Sequence, residues 1–166
     1  MPLFPKAALM PVKSASIPPQ RSILSMALLW VSLLAYAGSL ALPAYLTDTD
    51  TLGRRLEHYG LEAFLLGPIG IVGGQVSWLA NPLLLVAWVK RAQAHPWPSF
   101  YFAVVALCLA LSFLAGSTVP VGSAGIYRYY GAIGFYVWVG SIVFAAASAL
   151  ALAAAQPDEQ STSHTS

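Results

Sequence analysis

Residues 23–46, ILSMALLWVSLLAYAGSLALPAYL, run for 24 positions without a charged side chain, and that absence constrains the chain more than any motif in it. A helix of this length rises about 36 Å, more than the ~30 Å of hydrocarbon in a bilayer. Three further apolar runs follow, so the sequence predicts spans at about residues 23–46, 63–89, 99–116 and 129–155. Lipid supplies no hydrogen bonds, and a spanning segment of this kind must satisfy its own backbone as a helix. The expected fold is all-α: an integral membrane four-helix bundle over residues 23–155, with a proline-rich disordered arm at 1–22 and a disordered polar tail at 156–166. Charged residues are only 8% of the chain and hydrophobic ones 58%, against about 25% charged in soluble domains.

The second run is the least like a plain anchor. Residues 67–88, GPIGIVGGQVSWLANPLLLVAW, hold four glycines, two prolines, Gln75, Ser77 and Asn81. In one continuous helix Gly70, Gly74, Ser77 and Asn81 share a face, and Gly70 with Gly74 forms a small-xxx-small pair suited to close helix packing. Pro82 has no N–H to give the carbonyl of Trp78, so a kink is expected there, with Asn81 or Ser77 placed to compensate. These six residues, Gly70, Gly74, Gln75, Ser77, Asn81 and Pro82, form the candidate packing or polar face.

Polar residues dominate the loop at 47–62, yet Leu52, Leu56 and Tyr59 recur at spacings of four and three, which predicts a short amphipathic helix on the membrane surface. The same loop carries Asp48, Asp50, Glu57, His58 and Glu62, the one cluster with residue types for acid–base or metal chemistry. No metal-ligand spacing is present among them. A solvated loop face is the simpler reading.

Elsewhere the signals are plainer. Ser99 is placed to cap the third helix, Cys108 reads as a small buried hydrophobe, and residues 116–125 read as a turn of small residues. Tyr127, Tyr129 and Tyr130 around Arg128 suit the start of the last span at a membrane–water boundary. Lys6, Lys13, Arg21, Lys90 and Arg91 fall on one side of the proposed topology and Arg54, Arg55 and Arg128 on the other, five against three. Positive residues accumulate inside, which puts both termini and the 90–98 turn in the cytoplasm. Ala35-Tyr36-Ala37 leaves one alternative open, a signal peptide with residues 1–37 removed.

The absences exclude whole classes of function. None of the four proposed spans contains Asp, Glu, Lys, Arg or His, which disfavours ion-coupled carriers and voltage sensors. A single cysteine excludes an intramolecular thiol relay, and a formal charge of +2 gives no basic surface for nucleic acid. No cofactor or metal ion is implied.

The segment Trp78-Leu79-Ala80-Asn81-Pro82, with Gly134-Phe135-Tyr136-Val137-Trp138-Val139-Gly140-Ser141 in the last span, resembles small bacterial multi-spanning membrane proteins over roughly residues 23–155. The resemblance implies a bacterial inner-membrane protein and brings no activity with it; Trp78, Asn81, Pro82 and Trp138 are its most distinctive positions. Three readings of function follow from the residues. The chain is a structural or accessory component acting by helix packing, with the lipid bilayer and a homo-oligomer or membrane-protein partner around it. Alternatively, Gln75, Ser77 and Asn81 line an uncoupled solute path between chains, or the 47–62 cluster serves an enzyme or metal site.

Overall fold

The structure is a computed structural model and describes residues 20–47, 56–72, 75–115, 118–120 and 126–156. It is mostly helical. Five α-helices, α1 (Gln20–Ala41), α2 (Gly60–Val72), α3 (Ala80–Ala92), α4 (Pro96–Ala115) and α5 (Ile133–Ala153), are joined by a 3₁₀ turn at Val76–Leu79 and four short strands. Helices α1, α4 and α5 are each long and apolar enough to cross a membrane.

The helices pack through their smallest residues. On α4, Ser99, Ala103, Ala106 and Ala110 are buried at spacings of four, three and four, and α3 answers with Ala80, Leu84, Ala87 and Arg91 in the same rhythm. Ile142 and Ala145 of α5 complete that core. Helices α1 and α5 run antiparallel, with Ser25 against Ser148 and Ser32 against Ser141; each α1 hydroxyl donates to the facing α5 carbonyl at 2.7 Å. Large apolar side chains point outward instead: Leu34 is 69% exposed and Ile69 70%. Small residues inside and large ones outside reverse the soluble pattern and suit a lipid surround, where close backbone approach replaces the hydrophobic drive.

Helix ends follow local chemistry. Helix α1 stops at Ala41, two residues before Pro43, because the residue ahead of a proline is pushed out of the helical region. At the end of α3 the N–H of His95 bonds to the Lys90 carbonyl and that of Ala94 to the Arg91 carbonyl, a Schellman closure. Ala94 sits at φ 59° to make it, a conformation usually given to glycine. Pro96 then opens α4, where a missing N–H costs nothing.

Several expectations are corrected. The fold is not all-α: a four-stranded antiparallel sheet of order β2-β1-β4-β3 closes one end of the bundle. Its strands are β1 (Pro43–Thr47), β2 (Leu56–Tyr59), β3 (Thr118–Pro120) and β4 (Ile126–Gly131). So Leu56 and Tyr59 belong to a strand rather than an amphipathic helix. The last helix begins at Ile133, after a tyrosine-rich strand whose first half, 126–128, pairs with β3 and whose second half, 129–131, pairs with β1.

The second span is not one helix. Between α2 and the 3₁₀ turn the axis bends by 114°, so Gly70 cannot share a helical face with Ser77 and Asn81; Gly74 lies outside the described residues. The break falls between Val72 and Gln75, not at Pro82, which sits in the first turn of α3 where its missing N–H is tolerated. Ser99 does not cap a helix but donates across to the Ala87 carbonyl at 2.8 Å. Cys108 is exposed rather than buried, because α4 turns its alanine stripe inward.

A candidate ligand-binding cavity at the broken helix

Where α2 breaks away from α3, the bundle leaves a cavity of about 230 Å³. Its walls come from one chain. Phe64, Phe113, Phe135, Trp78 and Trp138 supply aromatic surface, Gly60, Gly67, Gly70 and Gly134 supply bare backbone, and Tyr45 of β1 stands at the sheet side. Gln75, Ser77 and Asn81 are the polar residues from the second run that face it, together with Ser39.

Three of these glycines leave no room for a Cβ: one added at Gly67 would overlap the Trp78 ring, one at Gly60 the Ser39 carbonyl, and one at Gly134 would fall 2.7 Å from the Pro43 carbonyl oxygen. Trp78 uses the space to donate from Nε1 to the Phe64 carbonyl at 2.8 Å, which ties α2 to the 3₁₀ turn across the break. The Gln75 N–H bonds back to the Gly70 carbonyl at 2.9 Å and holds the turn itself.

Asn81 is the hub of the floor. Its Oδ1 accepts from Tyr36 Oη and from Trp138 Nε1, both at 3.1 Å, and its Nδ2 donates to the Trp78 carbonyl at 3.2 Å. One side chain thereby joins α1, α3, α5 and the turn. An amide nitrogen carries two hydrogens, so Asn81 keeps one donor beyond these contacts. The side chains of Gln75 and Ser77 make no hydrogen bond among the described residues. The cavity thus presents several unused polar groups in an apolar, aromatic surround, the usual composition of a small-molecule site.

Of the loop cluster, His58 and Glu62 come together: His58 Nδ1 lies 3.0 Å from Glu62 Oε1, and its Nε2 lies 3.3 Å from Thr47 Oγ1. The imidazole stacks on Tyr45, ring centres 4.6 Å apart. Strand alternation sends Glu57 to the other face of β2, and Asp48 and Asp50 lie outside the described residues. Among the described residues no three His, Cys, Asp or Glu side chains are gathered to hold a metal. Pro82 does not line the cavity.

At the opposite end lies a residue whose burial the sequence hid. Arg91, placed by sequence in a cytoplasmic turn, is only 7% exposed. Its Nε donates to Ser25 Oγ at 3.0 Å and Ser148 Oγ at 3.1 Å, and a second nitrogen also reaches Ser25. The serine hydroxyls can accept because each donates to the other's backbone carbonyl, at 2.7 Å in both directions. The bundle interior therefore does hold an ionisable group. The signal for it was the heptad serines, Ser25, Ser32 and Ser39 on α1 and Ser141 and Ser148 on α5.

Comparison with known protein families, with curated proteins and with solved structures finds no match for this chain.

Proposed function

We propose that this is a multi-pass protein of a bacterial inner membrane that binds a small amphipathic molecule in the cavity beside Asn81. The observation that carries the reading is a cavity of about 230 Å³ within a single chain, walled by aromatic rings and offering the unbonded side chains of Gln75 and Ser77. A flat apolar body with a carbonyl or hydroxyl at one edge matches that surround, since the rings contribute contact area and the amides fix orientation. The positive-inside count supports termini in the cytoplasm and the sheet outside. A periplasm-active reporter silent at Ser166 and active when fused after Leu52 is the expected result. The accessory reading, in which helices pack between chains, loses part of its motive because Gly70 sits 3.5 Å from Gln75 of its own chain, measured to an added Cβ. Gln75, Ser77 and Asn81, the residues a conduit between chains would use, face this cavity within one chain.

Saturable quenching of tryptophan fluorescence by a naphthoquinone, in protein purified in mild detergent, tests the binding. Trp78 and Trp138 stand in the wall, so quenching should saturate in the native chain and weaken in folded Gly70→Leu, whose side chain enters the cavity. Quenching that only follows partition into detergent, equal in both proteins, would remove the reading.

A further inference from the structure

The contacts around His58 have an order that a solvated loop face does not need. Thr47 Oγ1, His58 Nε2, His58 Nδ1 and Glu62 Oε1 form a chain of two hydrogen bonds, 3.3 and 3.0 Å long. Three separate elements contribute: Thr47 ends β1, His58 lies in β2 and Glu62 in the first turn of α2, where the helix N-terminus favours a carboxylate. When Nδ1–H donates to Glu62, Nε2 is left as the acceptor for the Thr47 hydroxyl, the arrangement of nucleophile, base and orienting carboxylate used in acyl transfer. The stack on Tyr45 fixes the ring plane. Tyr45, Gly60 and Ala63, neighbours of all three residues, line the cavity.

We propose that Thr47, His58 and Glu62 form an acyl-transfer site at the mouth of the cavity, acting on esters whose apolar acyl part the cavity receives. The choice of substrate rests on the cavity reading. Thr47 Oγ attacks the ester carbonyl carbon and its proton passes to His58 Nε2. The bond from that carbon to the alcohol oxygen then breaks, and the alcohol leaves with the proton from Nε2. Water attacks the acyl-threonine by the same route, releasing a carboxylic acid and restoring Thr47.

The test uses the full chain in mild detergent with p-nitrophenyl acetate and p-nitrophenyl octanoate. Nitrophenolate release is followed together with peptide mass mapping of the acyl adduct. The wild type should carry the adduct on Thr47. Folded His58→Gln should lose about 100-fold or more in acylation rate, and Glu62→Gln about tenfold or more. Thr47→Ser should keep the reaction and Thr47→Val lose it. Absence of an adduct on Thr47 in the wild type overturns the proposal even if every variant fails to fold, and so does an undiminished rate in folded His58→Gln. Gly70→Leu should lower the preference for octanoate over acetate. An adduct on Thr47 with that preference unchanged leaves the relay standing and removes the cavity as its acyl site. Saturable naphthoquinone binding without any adduct does the reverse.

Discussion

The two ends of the bundle bury polar side chains in opposite ways. At the end holding the 93–95 turn, the Arg91 guanidinium and two serines hold one another, and α1, α3 and α5 meet around them. At the sheet end, Asn81 is held by three bonds, but Gln75 and Ser77 beside it are left open and the helices part around a cavity. Among the described residues no buried side-chain nitrogen or oxygen lacks a partner, so the open groups at the sheet end are those with access to the cavity. One end uses its polarity to stay shut. The other keeps some in reserve, which is what binding requires.

Substitutions should separate the two ends, and the largest effect is expected at the closed one. Arg91→Glu removes the donors and places a carboxylate against oxygens already committed to backbone carbonyls, a loss of about 3–5 kcal/mol. Unfolding in a denaturing detergent would read it, and a loss under about 1 kcal/mol would mean that the serine pair opens freely. Next in size is Gly67→Ala, whose new methyl displaces the Trp78 ring and its bond to Phe64, at about 2–3 kcal/mol. Cavity binding should be lost with it.

Asn81→Ala gives up three hydrogen bonds that in membranes average about 0.6 kcal/mol each, and so should cost about 1–2 kcal/mol. Ala94→Gly relieves the left-handed backbone at the α3 closure and should stabilise by about 1 kcal/mol. The smallest effect sharpens the comparison most. Gln75→Ala and Ser77→Ala should each shift stability by less than about 0.5 kcal/mol while weakening naphthoquinone quenching. A large stability loss from either would show that these groups are structural, as at the other end.

Much of this was legible locally. The charge-free run gives a helix as far as Ala41, because lipid-facing backbone has no other partner, while its last residues, from Pro43, enter strand β1. Pro43 and Pro96 mark boundaries by sterics alone. The break in the second run was visible as a disturbance but misplaced, because proline suggests a kink, while the break after Val72 needs a place for the Trp78 ring to lodge. Gly67 supplies the place, and nothing in the spacing from 67 to 78 shows that the chain will fold back to use it.

The serine stripe was readable too, at intervals of seven, but its partner was not. Sequence alone determined that the chain forms long apolar helices, because hydrogen bonding within a helix is local and length is counted residue by residue. Tertiary structure decided that Arg91 lies between Ser25 and Ser148, residues 66 and 57 positions away. It also decided that Tyr36, Trp78 and Trp138 meet on Asn81 and that Thr47 and Glu62 share His58. Those contacts depend on which helix faces which and on strand register, quantities that no single segment encodes.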